Sequence, residues 1–368
     1  MKISRRNLLS AGAGAAAYAA LPRAMAQEPA VFAPKPGDWR RYEVRTLIEI
    51  AAAPGGVQIW SPIPAFESAE WIKPGETTWA LKSGSAALVG DPSSGARMVH
   101  AIWGATDGPA GIEIVSRFMA RDRAVALSPR NSGASLSADK RKLYTMATEL
   151  LQTDGIVKTQ ADQIVAGAKT DLEKARRIYE WVVDNTFRNP KTRGCGVGDV
   201  AGMLKSGNLS GKCADLNALY VALARAAGLP ARDIYGIRVA PSQFGYKSLG
   251  ANSPTISKAQ HCRAEVFVDA IGWIPVDPAD VRKVVLEEPP GNLAIDDSKV
   301  IAARRALFGA WETNWLAYND AHDVKLPGSK GPAIPFLMYP QAETAAGRLD
   351  SLDPDAFKYT ITTREITG

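Results

Sequence analysis

The sequence predicts an α+β protein with a mainly antiparallel core sheet, preceded by an all-β, sandwich-like domain. Three observations carry this. From Asp38 to Leu127, short alternating runs are separated by Pro, Gly and Ser turns, with no sustained helical period. Helical periodicity begins only after Lys140, runs to about Ala227 and returns in an aromatic segment beyond Leu286. Strands then follow the helices rather than alternating with them, which is the order of an α+β domain and not of a parallel βαβ one. So divided, the chain reads as an export signal over 1–26, a β-domain over 38–127, a second domain over 141–286 and a C-terminal extension over 287–368 that packs on the core.

The first 26 residues hold the twin arginine Arg5-Arg6, a mildly apolar Ala/Gly run from Leu8 to Leu21, and Ala24-Met25-Ala26 as a cleavage site. That is the pattern of a bacterial twin-arginine export signal. A bilayer span needs about 20 strongly apolar residues, and this run is shorter and Gly-rich. The expected location is therefore the periplasm or beyond, with no stable membrane insertion after cleavage. The signal also carries Lys2, Arg5, Arg6 and Arg23 and no acid, so its removal takes the formal charge from +6 to +2. The pI near 9.1 is thus no footprint of nucleic-acid binding.

"RRYEVRTLIEI" and "GIEIVSRFMA" are strands of the β-domain, and the polar stretch Ser128 to Lys140 leads out of it. Thr170-Asp171-Leu172-Glu173 is a capping box, after which Leu172, Ala175, Ile178, Trp181 and Val182 recur at helical spacing. Gly194, Gly196 and Gly198 follow no strand and open no βαβ unit, so they are turn residues. The stretch "LSGKCADLNALYVALARAAGLPAR", Leu209 to Arg232, is a helix with Ser210 as N-cap, a buried stripe of Leu216, Leu219, Tyr220, Leu223 and Ala227, and Gly228 and Pro230 as its stop. "ARDIYGIRVA", "QHCRAEVFVD" and "GWIPVDPAD" are strands, the last two forming a hairpin across Ala270 to Gly272. Beyond Leu286 come a Pro-rich stretch, an aromatic segment "LFGAWETNWLAYNDAHDV" whose Trp311 and Trp315 share one helical face, and a final strand "FKYTITTREI".

Cys213 stands in the first turn of its helix, where unpaired N–H groups and the helix dipole favour thiolate over thiol. Thiol chemistry also needs a base and a group to orient that base. His261 opens the first hairpin strand and Asp277 closes the second, within a residue or two of facing one another; Asp280 is the rival orienter. Each residue alone has a plainer reading: a buried thiol, a sheet histidine, a turn-capping aspartate. His322 has no second ligand at i+3 or i+4, and His100 stands alone, so no metal site is implied, nor any cofactor. Three cysteines in an oxidising compartment leave one unpaired. Cys262 alternates with His261 and should point away from Cys213, free to form a disulfide with Cys195.

"GKCADLNALYVALARAAGLPAR" followed by "HCRAEVFVDAIGWIPVDP" resembles the core of the transglutaminase-like superfamily, papain-fold enzymes with Cys, His and Asp in that chain order. The resemblance runs from about Leu172 to Val284. It implies Cys213 as nucleophile, His261 as general base and acid, and Asp277 as orienter, in a thiol-dependent acyl-transfer enzyme on amide or peptide bonds, a peptidase or amidase if water resolves the thioester and a crosslinking enzyme if an amine does. Export makes a peptide or protein of the cell envelope the expected substrate. Where members follow the histidine with an aromatic, this chain has Arg263, which bears on the charge and shape of the groove. The side-chain oxyanion donor is not evident upstream of Cys213; Asn208 is the candidate. A catalytically inactive envelope-binding module of the same fold is the alternative.

Replacing Arg5 and Arg6 together by Lys should leave uncleaved precursor in the cytoplasm. Mature protein in a periplasmic fraction of the double variant would contradict the twin-arginine reading.

Overall fold

A computed structural model describes residues 31–51, 53–105, 108–128 and 133–367, and the export signal read over 1–26 lies outside them. Strands β1 (Arg40–Ile50), β2 (Val57–Pro62), β3 (Ile72–Leu81), β4 (Ser85–Gly90), β5 (Arg97–Trp103) and β6 (Ala110–Ala120) come first, closed by the short β7 (Arg123–Ala124). Helices α1 (Ala138–Leu143), α2 (Gly155–Val165) and α3 (Asp171–Asn185) follow, then β8 (Phe187–Arg188), α4 (Val200–Ser206), β9 (Ser210–Gly211) and α5 (Cys213–Ala226). The chain continues through β10 (Ala231–Arg238), β11 (Gln260–Val268), β12 (Gly272–Val276), α6 (Pro278–Glu287) and α7 (Ser298–Ala306). It ends in β13 (Ala310–Trp311), β14 (Trp315–Asn319), β15 (Gln341–Thr344), β16 (Gly347–Arg348) and β17 (Lys358–Glu365).

The β-domain is two antiparallel sheets, β17-β1-β6-β3 and β16-β15-β2-β5-β4. Alternation on β1 and β6 sends Ile48, Ile112 and Ile114 to a shared interior with Val57, Ile59, Val99 and Trp103 of the other sheet. The sandwich is not built from 38–127 alone. β15, β16 and β17 all come from the C-terminal extension, with Tyr42 to Glu49 of β1 paired to Glu365 to Lys358 of β17, so the extension completes the β-domain as well as covering the core.

The core is the antiparallel sheet β12-β11-β10-β14 with α5 laid across it, within the one compact unit Val31–Gly368. Every residue of α5 is buried. Its apolar face meets Ile178, Tyr179 and Val182 of α3 on one side and Ala264 and Val266 of β11 on the other. The N-cap half of the box at Thr170 forms as read, Thr170 Oγ1 accepting from Glu173 N at 3.1 Å, but the Glu173 carboxylate reaches one residue further back, to the Lys169 amide at 2.8 Å. β11 and β12 pair from Ala264↔Val276 to Val268↔Gly272, the hairpin the sequence predicts.

The aromatic segment 307–324 is extended, not helical. β13 pairs with β7 and β14 adds to the core sheet beside β10. A spacing of four places Trp311 and Trp315 on one face of a helix, but four is also even and satisfies a strand; burial on both faces decided the outcome. Both indoles are completely buried against Trp71.

Removing 341–368 would strip one strand from the edge of β1 and two from the edge of β2. The truncated chain should lose cooperative unfolding and aggregate through the bared edges. A soluble truncation with a native-like urea transition would contradict this.

Candidate active site

The helix that carries Cys213 is capped from inside. Lys212, not Ser210, is its N-cap; Ser210 lies in β9. The Asp215 carboxylate, in the first turn, accepts the Lys212 amide with Oδ2 and the Val197 and Gly198 amides with Oδ1, all at 3.0 Å. One buried carboxylate thus ties the glycine loop to the helix start and puts negative charge where the dipole favours it. Gly196 makes this possible: its φ is +90°, and a Cβ there would fall 1.9 Å from Asp215 Oδ2. The Ala214 amide is taken by Cys195 O at 2.9 Å, which fixes the loop against the helix a second time.

Cys213 is 4% exposed at the wall of a cleft of about 580 Å³ that His261 also lines. Its thiol is held well below the ordinary range, first by the Cys195 and Cys262 thiols that donate toward it and then, against the opposing effect of burial, by the hydrogen bond and charge of His261. Cys195 is raised correspondingly by its contact with Cys213 and by burial, and Cys262 by burial and then Cys213. The single Cys195 proton is shared between two acceptors, since Sγ also lies 3.3 Å from Gln260 O.

All three cysteines are free thiols in one cluster, so the expected Cys195–Cys262 disulfide is not formed. The inference that Cys262 points away from Cys213 also fails. Strand alternation places neighbouring side chains on opposite faces, but Cys213 sits at the tip of β11, where both His261 and Cys262 reach it.

His261 Nε2 lies 2.8 Å from Asp277 Oδ2 and 3.4 Å from Asp280 Oδ2, which leaves Nδ1 for the thiol. Burial and the Arg238 charge oppose the imidazolium; the Asp280 and Asp277 carboxylates outweigh them and raise the ring to about 9. Asp277 is the N-cap of α6. Its Oδ1 accepts from Asp280 N at 3.0 Å and from Asn217 Nδ2 at 3.3 Å. Burial and the Asp280 charge push its carboxyl up, against His261 and Arg263. Asp280 is gripped by Arg238 Nη2 at 2.5 and 2.7 Å, and despite burial that guanidinium holds it well below the carboxylate range. Asp277 and Asp280, rivals in the sequence, therefore both face the ring, with Asp277 the nearer.

Three further residues hold this cluster. Asn217, one turn beyond Cys213, donates to Cys262 O at 2.8 Å as well as to Asp277. An amide inside an otherwise apolar helical run was the visible signal for it. Trp315 Nε1 donates to His261 O at 2.8 Å, for which the sequence offered no signal beyond aromatic density. Arg263 is buried over the Trp311 and Trp315 rings, donates to Glu312 O at 2.8 Å and keeps Nε 3.5 Å from Asp277 Oδ2. It stands behind Asp277 and not in the groove whose charge it was expected to set.

Asn208 closes its own loop, accepting from Ser210 N and Oγ, and does not reach the cleft. His322 is a core histidine beside Tyr235, and His100 stacks on Trp60. Among the described residues, His261, Asp277 and Asp280 bring ligand atoms within 4.8 Å of one another, but Arg238 and Arg263 crowd the same carboxylates and oppose a metal ion there.

Residues 158–278, from α2 through the start of α6, match the sequence model of the transglutaminase-like superfamily. This region is a transglutaminase-like domain. An uncharacterized protein of Haemophilus influenzae is 42% identical over 232 residues, covering 61% of this chain and 62% of its own length. A crystal structure from Cytophaga hutchinsonii, described as a candidate cysteine protease, superposes with a TM-score of 0.50 at 14% identity, over 90% of this chain and 99% of that one, and shows the shared fold. The periplasmic domain of TgpA from Pseudomonas aeruginosa overlaps more loosely, with a TM-score of 0.36 at 15% identity over 66% of this chain and 88% of that one. No helix among the described residues is long and apolar enough to cross a membrane.

The thiol and the imidazole have opposite linkage. His261 lies above its unfolded value, so its contribution to stability is fully present below 6.5 and lost as pH rises through about 9. Cys213 lies below its unfolded value, so its contribution is present above about 9 and lost as pH falls through the folded value. Between 6.5 and 9, wherever the folded thiol is already ionised and the ring still protonated, the folded pair and the unfolded pair each bind one proton, and the two effects cancel. Compared with wild type, Cys213→Ala should therefore lose stability between pH 6.5 and 9, on the order of 3 kcal/mol. Urea midpoints of the two proteins falling in parallel across that range would contradict this.

Proposed function

We propose that the protein is an exported, thiol-dependent acyl-transfer enzyme acting on amide or peptide bonds, with Cys213 as nucleophile, His261 as general base and acid, and Asp277 as the group that orients the ring. The observation that carries this reading is the thiol of Cys213 at a helix start, in contact with an imidazole that two buried carboxylates keep protonated. In the resting enzyme the proton already sits on His261, so Cys213 is a thiolate beside an imidazolium. The sulfur attacks the carbonyl carbon and the C–N electrons leave with the amine as His261 Nδ1 hands over its proton. The resulting thioester is resolved by water, to which neutral His261 is now the base, or by an amine that becomes the new amide.

The tetrahedral intermediate carries negative charge on the former carbonyl oxygen. With the Ala214 amide taken by Cys195 O, the Cys213 amide is the helix-end donor nearest its own sulfur, and the helix N-terminus adds its partial charge. The twin-arginine pattern of residues 1–26 supports a reaction outside the cytoplasm, with a peptide or protein of the cell envelope as its substrate.

Cys213→Ala and His261→Ala should each lower kcat/KM on a peptide amide to near background, with the double variant little worse, because members of one catalytic unit are not additive. Asp277→Asn should keep the fold and lose activity by several orders of magnitude, with a smaller loss if Asp280 takes over the ring. Additive losses in the Cys213 and His261 double variant would contradict a joint role.

A further inference from the structure

The cleft beside Cys213 is lined by Arg188, Arg193, Lys212, Arg238, Lys258 and Lys283, and by no aspartate or glutamate. The chain as a whole is not basic enough to explain this, since without residues 1–26 its formal charge is only +2. Three of these cations are answered by acids outside the lining: Arg188 by Glu287, Arg193 by Asp350 and Arg238 by Asp280. Lys283 lies 3.8 Å from the same Glu287. Its ammonium is uncomfortable, with burial and then the Arg238 charge bringing it down to about 8.

Among the described residues, neither the Lys212 nor the Lys258 ammonium is in an ion pair with a carboxylate. Their positions are informative. Lys212 immediately precedes the sulfur-bearing residue, and Lys258 stands three residues before His261 in the stretch that enters β11. Two unanswered ammonium groups therefore flank the thiol–imidazole pair, one on each element that delivers it. In a half-enclosed cleft their field is focused and raises the local concentration of anions. A substrate carboxylate would supply the counter-charge that the protein withholds.

We propose that this cleft selects acidic peptides as acyl donors, with a carboxylate within a residue or two of the scissile carbonyl recognised by Lys212 and Lys258. The proposal rests on Cys213 being the nucleophile, and its test separates the two. The first arm needs no turnover: the rate of Cys213 alkylation by iodoacetate is compared with that by neutral iodoacetamide, in wild type and in the Lys212→Gln, Lys258→Gln double variant. The imidazolium is common to both proteins, so the change in ratio reports the lysines. The anionic reagent should lose about tenfold relative to the neutral one in the variant, and the wild-type ratio should fall with added salt. An unchanged ratio overturns the proposal.

The second arm compares kcat/KM for peptide amides differing only in Glu against Gln beside the scissile bond. Wild type should prefer Glu by tenfold or more and the variant should not; equal values overturn the proposal. Failure to turn over either peptide, with the alkylation ratio still dependent on the lysines, removes the catalytic reading and leaves the anion selection standing.

Discussion

The site depends on the contact of one imidazole with two buried carboxylates. His261 is almost wholly enclosed, and a protonated ring in that position is costly unless something nearby is negative. Asp277 and Asp280 supply that charge from the first turn of one helix, where Asp277 caps α6 and Asp280 follows three residues later. Two carboxylates so close would repel each other were they not separately answered. Arg238 answers Asp280, and Arg263 stands behind Asp277. The set is a balanced cluster of buried ions in which removing one member strands the others, the circumstance in which a loss is far larger than the worth of any single pair.

The rest of the fold serves to bring that cluster to the thiol. Asp215 joins the glycine loop to the first turn of α5, and the loop in turn delivers Cys195 to the sulfur. Trp315, from a strand contributed late in the chain, fixes the backbone of His261. The two N-terminal sheets take three strands from the same C-terminal extension that gives β14 to the core sheet, so one segment completes both parts of the single compact unit Val31–Gly368. An alteration in either should therefore be felt at the cleft, whose wall includes Leu352 and Phe357 from the stretch leading into β17 and Tyr359 from β17 itself.

How much of this could be read beforehand follows the range of the interactions. Local rules were legible: the N-cap at Thr170, the hairpin between β11 and β12, and the placement of Cys213 at a helix start all rest on residues a few positions apart. From these the proximity of Cys213, His261 and Asp277 could be expected. Pairings across the chain were not legible, because nothing in the sequence of β1 says that its partner lies more than 300 residues away. Residues 307–324 were misread since an aromatic spacing of four fits helix and strand alike. Cys262 was misread since alternation describes the faces of a sheet and not the space beyond a strand's end. Arg263 was read as a groove residue, when the two indoles that shelter it lie about 50 positions further on.

The claim on which this account turns is that His261 is an imidazolium at neutral pH because two carboxylates hold it so. Nuclear magnetic resonance of the ring in isotope-labelled protein measures this without any substrate. With only three histidines in the chain, assignment by His261→Gln is direct. The His261 ring should stay protonated through pH 7 and lose its proton near 9, with the value falling in Asp277→Asn. A ring that titrates at or below its ordinary value of 6.5 would contradict it.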